Sequence, residues 1–484
     1  MKNKLASIIY NNLKKTFIYN GICNEAYTYE DIHILALKLI TILKSKDINI
    51  GDRVSIIAKN SIEAVIIYFS ALYYGITIIP INPKLSKNEI AYMLNDSKSK
   101  YLILAFDYDE KEYFNDVIEV LDIRIDDVKE ESYVNQEPFF NIDKNKNSLI
   151  IYSSGTTGRP KAIVHTFFSL ANNAELFNKK MAIGADSVFL NFLNLTYLGG
   201  YYNLLMLPFI AEGKVVLYKQ FDLSMISMIP KLIFQYKINV LWLVPAIASI
   251  LVKFDRISDE AKLIYKQYIK LCLIGTAPLS KILKINFENK YGLKLHQNYG
   301  LSETLFISVD TKNDIDSNDV GEILEGIEVK VLQDGEILVK TPFIMNYYLD
   351  NQTTHGAFTD GWFRTGDIGS IKENQIIFKE RKKDLIIRGG ENISPKEIEN
   401  VIRELDFIEE VAVVGVEHEI YGEDIVAFVV LSKDSDKNNL LLRIRSVCDN
   451  ELSTNKIPSN FIFLDSLPRT DSGKINKNKL KEML

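Results

Sequence analysis

The segment from 152 to 161, Tyr-Ser-Ser-Gly-Thr-Thr-Gly-Arg-Pro-Lys, constrains the fold more than any other part of the chain. Apolar residues occupy 149–151 and 162–164, so the segment is predicted to be a loop between two strands. Its two glycines, four hydroxyls and a lysine are the kinds of group that bind a polyphosphate. It differs from the common P-loop, because Arg159 follows Gly158 where that motif has a lysine. An ordinary surface turn rich in Ser, Thr and Gly is the alternative interpretation.

The length and composition limit the number of domains and the kinds of partner. At 484 residues the chain is too long for one hydrophobic core, so two or three domains are expected. A net charge of −6 and short basic blocks predict no affinity for nucleic acid or for a membrane surface. The cysteines at 23, 272 and 448 lack metal-ligand spacing, and their odd number in a long chain indicates a reducing compartment.

The apolar stretches predict neither a secretory leader nor a membrane span. The N-terminal apolar run is short and ends at Asn11 and Asn12, which does not fit a signal peptide. The stretch from 64 to 80 is interrupted by Gly75 and is shorter than a bilayer-spanning helix. A buried helix followed by a buried strand is expected there, and the chain is expected to be cytoplasmic.

Short apolar runs alternate with helical stretches, which predicts an α/β fold with sheets that are mainly parallel and covered by helices. Strands are expected at 54–58, 76–80, 215–218, 240–244 and 271–274, with a helix at 61–73. Between about 320 and 380 the pattern changes to a small antiparallel unit. It contains a hairpin over 329–339, for which Asp334-Gly335 supplies the tight turn.

A charged run at 379–384 separates a large N-terminal domain, residues 1–380, from a small C-terminal domain, residues 385–484. Ser394, Pro395 and Glu397 predict a helix start, with a Ser cap followed by Pro at the first helical position. Strands at 411–416 and 425–431 and a helix near 438–450 complete an α+β core. The boundary between the two domains is placed at 381–384.

Five further segments carry polar and glycine-rich motifs. They are Gly-Thr-Ala-Pro-Leu at 275–279, Gln-Asn-Tyr-Gly-Leu-Ser-Glu at 297–303, Trp-Phe-Arg-Thr-Gly-Asp at 362–367, the basic and glycine-rich run at 381–392, and Pro-Arg-Thr-Asp-Ser-Gly-Lys at 468–474. With 152–161, they resemble in order the motifs of the acyl-adenylate-forming enzymes. This superfamily includes acyl-CoA synthetases, luciferases and the adenylation domains of peptide synthetases. The resemblance spans 152–474, and the first 140 residues match more loosely.

The resemblance implies a site for ATP and Mg²⁺. The expected nucleotide-binding residues of the N-terminal domain are Ser153, Ser154, Gly155, Thr156, Thr157, Gly158, Lys161, Ala277, Gln297, Asn298, Tyr299, Gly300 and Ser302. Thr156 and Glu303 are the expected metal ligands, and a hard carboxylate such as Glu303 suits Mg²⁺. Asp367 matches the carboxylate that receives both ribose hydroxyls, and Arg381 matches an arginine that contacts ribose and phosphate.

The family resemblance also assigns the moving parts. Lys474 matches the C-terminal lysine that bridges carboxylate and phosphate, and it joins Glu303, Thr156 and Tyr197 as an expected catalytic residue. Lys383 falls at the hinge about which a mobile C-terminal domain rotates. Gly389 and Gly390 would let the pantetheine arm pass close to the backbone, and Asn392 matches a polar nucleotide contact.

Alignment to the family also gives an expected acid pocket. Its residues are Tyr197, Gly199, Ile274, Asn298, Phe306 and Ile307. Tyr197 stands where the family often has a histidine or a large aromatic residue at the pocket mouth. Asn298 replaces a glycine found in many members, which indicates a compact or hydroxylated acid and disfavours long chains.

The predicted function is an ATP-dependent, AMP-forming acid–thiol ligase, an acyl-CoA synthetase that uses ATP, Mg²⁺ and CoA. Two alternatives remain open. The first is a freestanding enzyme that loads the acid onto the phosphopantetheine of an acyl carrier protein. The second is a nucleotide-binding protein that acts by interaction without catalysis. The sequence identifies neither the acid nor the oligomeric state.

Overall fold

The computed structural model of the protein describes residues 2–132, 145–153, 160–277, 279–312, 319–388, 391–419, 421–432, 437–470 and 474–484. The chain forms two compact units. The first contains residues 1–329 and 339–363, and the second contains residues 330–338 and 364–484. The hinge predicted at 381–384 stays a prediction, because this division does not test where the chain bends.

Helices and strands alternate up to residue 180. The elements are α1 (Lys2–Tyr10), β1 (Thr16–Asn20), β2 (Glu25–Thr28), α2 (Tyr29–Ser45), β3 (Arg53–Ile57), α3 (Ile62–Tyr74), β4 (Thr77–Ile81), α4 (Lys87–Ser97), β5 (Tyr101–Leu104), α5 (Lys111–Asn115), β6 (Glu119–Asp122), α6 (Ile125–Glu130), β7 (Asn147–Ser153), β8 (Lys161–Thr166) and α7 (Phe167–Lys180).

The alternation continues to about residue 310 and then gives way to short strands. The elements are β9 (Val188–Asn191), a π-helical segment (Gly199–Met206), α8 (Leu207–Ile210), β10 (Lys214–Leu217), α9 (Ile229–Tyr236), β11 (Val240–Leu243), α10 (Pro245–Phe254), α11 (Asp259–Tyr268), β12 (Leu271–Ile274), α12 (Lys281–Tyr291), β13 (Leu295–Leu301), β14 (Leu305–Val309), β15 (Asp319–Ile323), β16 (Glu328–Val331), β17 (Glu336–Lys340), β18 (Tyr347–Tyr348), α13 (Asn351–Gly356) and β19 (Phe358–Thr359).

The remaining elements are mostly antiparallel strands with a few helices. They are β20 (Trp362–Lys372), β21 (Gln375–Arg381), β22 (Ile386–Arg388), β23 (Glu391–Ile393), α14 (Pro395–Arg403), β24 (Ile408–His418), β25 (Gly422–Leu431), α15 (Lys437–Glu451), β26 (Asn460–Phe463) and α16 (Lys477–Lys481). Short 3₁₀ turns occur at Leu223–Met225, Lys382–Asp384 and Thr454–Lys456.

Two mixed sheets form the first unit. In one, the strand order is β18-β8-β7-β4-β3-β5-β6, and the pairs among β7, β4, β3, β5 and β6 are parallel. The other contains a run of parallel strands in the order β13-β12-β11-β9-β10-β1. Two antiparallel strands, β14 and β15, extend this sheet beyond β13. Parallel strands are buried on both faces, which explains why their sequences are continuous apolar runs.

The apolar stretch from 64 to 80 illustrates how the local sequence sets the elements. Ser61 caps α3 by accepting a hydrogen bond from the Ala64 amide, and Gly75 ends the helix with a φ of 82°. β4 begins two residues later, so the predicted helix followed by a strand is confirmed. None of the helices in the described ranges has the length and apolarity needed to cross a bilayer.

The second unit is built around the long antiparallel pair β24–β25, with β22 and β26 beside β25. Alternate residues of β24 face opposite sides, so Val411 and Val413 contact the α14–α15 core while Ala412 and Val414 contact the core that includes Leu480 of α16. Ser394 caps α14 as predicted, by accepting from the Glu397 amide. The tight turn predicted at Asp334-Gly335 is also present, and Gly335 has a φ of 83°.

The predicted fold class is therefore confirmed: large parallel-rich sheets with helices, a small antiparallel unit and an α+β C-terminal portion. The predicted strands at 54–58, 215–218, 240–244 and 271–274 correspond to β3, β10, β11 and β12 within one residue at each end. Cys23, Cys272 and Cys448 are free thiols.

Asn173 of α7 connects this helix to β14 through buried hydrogen bonds. Its side-chain NH₂ donates to the Phe306 carbonyl at 2.9 Å, and its Oδ1 accepts from the Phe306 amide at 3.0 Å. The Tyr202 hydroxyl also donates to Oδ1, at 2.9 Å. Asn173 is fully buried, so these bonds fix the position of Phe306 in the core.

We predict that Asn173→Ala destabilises the protein by about 3 kcal/mol, because it removes the buried hydrogen bonds to the amide and the carbonyl of Phe306. Asn172→Ala is the matched control. Asn172 is its neighbour on the helix, is only partly buried, and its NH₂ donates to the Phe168 carbonyl of the same helix. Urea unfolding of both variants measures the difference. Equal losses of unfolding free energy in the two variants would show that the contact with β14 does not hold this region.

Candidate active site

The phosphate-binding segment predicted at 152–161 lies between two antiparallel strands, as the sequence indicated. β7 ends at Ser153 and β8 begins at Lys161, and these two residues are register partners. Ser154, Gly155, Thr156, Thr157 and Gly158 lie outside the described residues, so their predicted roles remain predictions. The Lys161 ammonium lies 5.6 Å from the centroid of the Tyr348 ring.

Glu303 follows β13 in a turn and accepts two hydrogen bonds, one from Tyr348 of β18 and one from Met345, which precedes that strand. The Tyr348 hydroxyl donates to Glu303 Oε1 at 2.7 Å, and the Met345 amide donates to the Glu303 carbonyl at 2.7 Å. Burial and the charge of Glu303 raise the pKa of the Tyr348 hydroxyl, which keeps it a donor. A carboxylate has two acceptor oxygens, so Glu303 keeps the capacity to bind a cation, and its hard oxygen suits Mg²⁺.

His165 fixes the residue before Glu303. The His165 side chain is fully buried, and its Nε2 lies 2.7 Å from the Ser302 carbonyl. A carbonyl only accepts, so Nε2 carries the proton in this arrangement. Burial lowers the pKa of His165, and the hydrogen bond to Ser302 offsets only part of this effect, so that the resulting pKa is about 4. The imidazole is therefore neutral at pH 7 and acts as a fixed donor between β8 and the turn.

The strand expected to lie along the adenine is β13. Tyr299 is mostly buried, whereas Gln297 is half-buried and Gly300 is exposed. At Gly300 an added Cβ would lie 2.0 Å from the Leu305 carbonyl oxygen, so only glycine fits where the register of β13 and β14 shifts. Ala277 follows Thr276, whose φ of 73° is unusual for a β-branched residue and places backbone strain beside the predicted site.

Four of the predicted pocket residues, Ile274, Asn298, Phe306 and Ile307, lie on the neighbouring strands β12, β13 and β14. Ile274 and Ile307 are fully buried, and the side-chain NH₂ of Asn298 donates to the Ile274 carbonyl at 3.0 Å. A Cβ added at Gly275 would lie 2.4 Å from Asn298 Oδ1, so the amide fills the space beside this glycine. Phe306 contacts three aromatic rings, with centroid distances of 4.1 Å to Phe177, 5.4 Å to Tyr202 and 5.5 Å to Trp242.

Buried asparagines surround the segment before the π-helix. The side-chain NH₂ of Asn82 donates to the Tyr197 hydroxyl at 2.8 Å, and its Oδ1 accepts from the side-chain NH₂ of Asn194 at 3.4 Å. Gly199 begins the π-helical segment, and π-helical turns often occur at functional sites. The sequence indicated Tyr197 and Gly199 but gave no role to Asn194. A buried polar residue after an apolar strand is the signal that could have identified it.

In the second unit, Asp367 and Arg381 form an ion pair across β20 and β21. They are register partners, and Arg381 Nε lies 2.7 Å from Asp367 Oδ1. The Asp367 side chain is fully buried, and its amide donates to Thr365 Oγ1. Two residues expected to contact the same ribose are therefore adjacent, and the guanidinium compensates the buried carboxylate.

The hinge segment contains charged residues with well-defined partners. Lys382 Nζ lies 2.7 Å from Asp334 Oδ2 and 2.8 Å from Glu336 Oε2, and Glu336 also pairs with Arg364. Lys383 is exposed. Gly389 and Gly390 lie outside the described residues, as does the side chain of Asn392, whose backbone belongs to β23.

Lys474 precedes Ile475, which forms an isolated antiparallel bridge with Arg469. The Thr470 amide donates to the Lys474 carbonyl at 2.7 Å, and the Asn476 amide donates to the Pro468 carbonyl at 2.8 Å. Lys474 is exposed, and residues 471–473 lie outside the described residues. The predicted role of Lys474 stays a prediction.

Comparisons with known proteins agree with these motifs. Residues 10–349 match the family model of the AMP-binding enzymes, and residues 397–474 match the model of the AMP-binding enzyme C-terminal domain. The 2-succinylbenzoate–CoA ligase of Listeria monocytogenes is 32% identical in an alignment of 462 positions that covers 94% of each chain. A long-chain-fatty-acid–CoA ligase of Mycobacterium tuberculosis is 29% identical in an alignment of 488 positions that covers 94% of this chain and 92% of that one. The solved structure of the Bacillus subtilis o-succinylbenzoate CoA synthetase with ATP and magnesium superposes with a TM-score of 0.85 and 25% identity, and 99% of each chain is covered.

We predict that Arg381→Met lowers the free energy of unfolding by about 2 kcal/mol, because it leaves the buried Asp367 carboxylate without its charge partner. The loss should be smaller than for a fully buried pair, since Arg381 is 38% exposed. Arg364→Met is the control: Glu336 keeps Lys382, so a loss below about 1 kcal/mol is expected. Urea unfolding at pH 7 compares them, and a larger loss for Arg364→Met would contradict the argument.

Proposed function

The chain belongs to the AMP-binding enzyme family and is an AMP-forming acyl-CoA synthetase, and from that premise we propose that its acid is compact and carries a second polar group. The relatives alone leave the acid open, because one is named for 2-succinylbenzoate and another for long-chain fatty acids. The aromatic cluster around Phe306 is the observation that favours a compact acid.

The cluster would form the inner wall of the pocket. Phe306 is 5% exposed, and Asn173 holds its backbone through both the amide and the carbonyl. A long alkyl chain that passes this wall would have to displace several packed rings, each of which stabilises the core by more than its buried area alone. A compact aromatic or dicarboxylic acid ends before the wall.

Polar groups at the mouth support the second part of the proposal. The buried Asn82 and Asn194 and the partly buried Tyr197 form one hydrogen-bonded group, and Asn298 is a buried amide that donates to the Ile274 carbonyl. A hydroxyl, carbonyl or carboxylate on the acid would offer them a partner. Sites built from hydrogen-bonding groups discriminate strongly against acids that lack the matching group.

The chemistry requires positive charge where two anions meet. A carboxylate attacks the α-phosphorus of ATP, pyrophosphate leaves with the electron pair of the broken P–O bond, and acyl-AMP remains. Lys474 would contact the carboxylate and the α-phosphate, Lys161 would contact the leaving phosphates, and Arg381 with Asp367 would orient the ribose. Mg²⁺, held by Glu303 and expected at Thr156, would stabilise the charge on the phosphate oxygens. A thiol then attacks the acyl carbon and expels AMP.

The second half-reaction is proposed to use rotation about Lys383. The residue before it, Lys382, pairs with Asp334 and Glu336. On the other side, Arg388 pairs with Asp424 at 3.1 Å and donates to the Asn455 carbonyl. Lys383, which is exposed and directly follows the paired Lys382, is therefore favoured as the pivot. Gly389 and Gly390 would then approach the pantetheine arm.

CoA is favoured as the acceptor thiol, because the relatives are named as CoA ligases. The named relatives do not support a carrier protein as the partner, and a binding protein without catalysis is not favoured. A cytoplasmic location remains a prediction.

An ATP–pyrophosphate exchange screen tests the proposed acid. The panel should include benzoic and hydroxybenzoic acids, 2-succinylbenzoate, short dicarboxylic acids and a series of long-chain fatty acids. We expect a compact acid with a second polar group to support exchange about a hundredfold faster than a long alkyl acid.

The same exchange assay tests the role of Lys474. Lys474→Ala should lose exchange about a hundredfold but still form thioester from supplied acyl-adenylate. Preference for long alkyl acids would contradict the pocket argument, and equal loss of both steps would contradict the role of Lys474.

Lys383→Pro tests the hinge. Proline fixes φ near −65°, so the variant should keep the half-reaction that suits its conformation and impair the other. Lys383→Ala is the matched control, because it removes the side chain but leaves the backbone free, and both half-reactions should persist. Parental rates for both steps in Lys383→Pro would exclude rotation at this residue.

A further inference from the structure

We propose that Tyr348 is a positioning residue that holds two groups of the phosphate and metal site at once. Its hydroxyl orients the Glu303 carboxylate, and its ring face holds the Lys161 ammonium. The inference rests on the proposed function, because it concerns the residues expected to contact Mg²⁺ and the phosphates of ATP.

The hydrogen bond to Glu303 is made in a place that water reaches poorly. Tyr348 is 4% exposed, and its hydroxyl lies 2.7 Å from Glu303 Oε1. A hydrogen bond to a charged group is stronger than one between neutral groups, and low exposure strengthens it further. The bond restricts rotation of the carboxylate and leaves the other oxygen, Oε2, for a cation.

Orientation of the carboxylate matters for the metal that the site is expected to hold. Mg²⁺ requires nearly ideal octahedral geometry and takes few protein ligands, so a freely rotating carboxylate binds it poorly. A second group that fixes the ligand commonly raises metal affinity by tenfold or more. Tyr348 occupies this supporting position for Glu303.

The second contact concerns Lys161. Its Nζ lies 5.6 Å from the centroid of the Tyr348 ring, within the range of an attractive cation–π contact. Lys161 is the first residue of β8, directly after the segment expected to bind phosphate. The ring therefore limits the directions in which this ammonium extends.

Tyr348 is itself fixed by the strand that Lys161 begins. Tyr348 pairs with Ile163 of β8, and the next amide, that of Leu349, donates to the Ala162 carbonyl at 3.0 Å. The Tyr348 amide donates to Thr354 Oγ1 at 3.0 Å. A side chain held in this way transmits the position of β8 to Glu303.

Calorimetric titration of ATP, with Mg²⁺ and with EDTA, tests the proposal without measuring turnover. Tyr348→Phe keeps the ring and removes only the hydroxyl. We expect the Mg²⁺-dependent gain in ATP affinity to fall about tenfold, with metal-free ATP binding unchanged. Tyr348→Leu removes the ring as well and should also weaken metal-free binding a few-fold.

Tyr347→Phe is the matched control. The neighbouring Tyr347 hydroxyl accepts from the Asn147 side chain at 2.7 Å and belongs to no predicted site. Its removal should leave ATP binding unchanged with and without metal.

In a Glu303→Gln background, Tyr348→Phe should add no further loss of Mg²⁺ dependence, because the carboxylate is already absent.

Two results would overturn the inference alone. One is Mg²⁺ dependence in Tyr348→Phe equal to that of the parent, and the other is an equal loss with and without metal, which indicates a purely structural role. Absence of ATP binding by the parent protein would overturn the proposed function and this inference together.

Discussion

The pairing of Tyr347–Tyr348 with the edge of β8 fixes the positions of Lys161 and Glu303, the two charged groups of the predicted phosphate and metal site in the first unit. The residue that begins β8, Lys161, follows the segment expected to bind phosphate, and the two-residue strand places Tyr348 beside it. Met345 and Tyr348 then hold the backbone and the carboxylate of Glu303. Because β8 also bonds Ser302 through His165, a shift of this strand would move the cation and the carboxylate together.

Electrostatics explain why the remaining groups take these positions. Adenylation brings a carboxylate to a triphosphate, and preorganised cations reduce that repulsion more effectively than water does. The fully buried Asp367 is tolerated because Arg381 is its register partner on the next strand. The same guanidinium compensates a buried charge and is proposed to contact the nucleotide, so stability and binding depend on one residue.

The sequence predicted the parts of the fold that local patterns encode. The apolar runs identified the parallel strands, and Ser394-Pro395 identified the start of α14. The motifs indicated Glu303, Asp367 and Arg381, whose predicted roles depend on short segments. The contacts between distant segments were not predictable. Tyr348 and Glu303 are separated by 45 residues, Asn82 and Tyr197 by 115, and Asn173 and Phe306 by 133. Such partners depend on tertiary packing, and a lone Tyr or Asn in the sequence gives no sign of them.

The transfer of carboxylate oxygen to AMP tests most directly whether this chain activates its acid by adenylation. The accepted acid, labelled with ¹⁸O in its carboxylate, would be incubated with ATP, Mg²⁺ and CoA, and the AMP analysed by mass spectrometry. Attack of the carboxylate on the α-phosphorus, followed by attack of the thiol on the acyl carbon, leaves one labelled oxygen on AMP. Labelled AMP with unlabelled pyrophosphate is the predicted result. Unlabelled AMP, or ADP with labelled phosphate, would contradict the account.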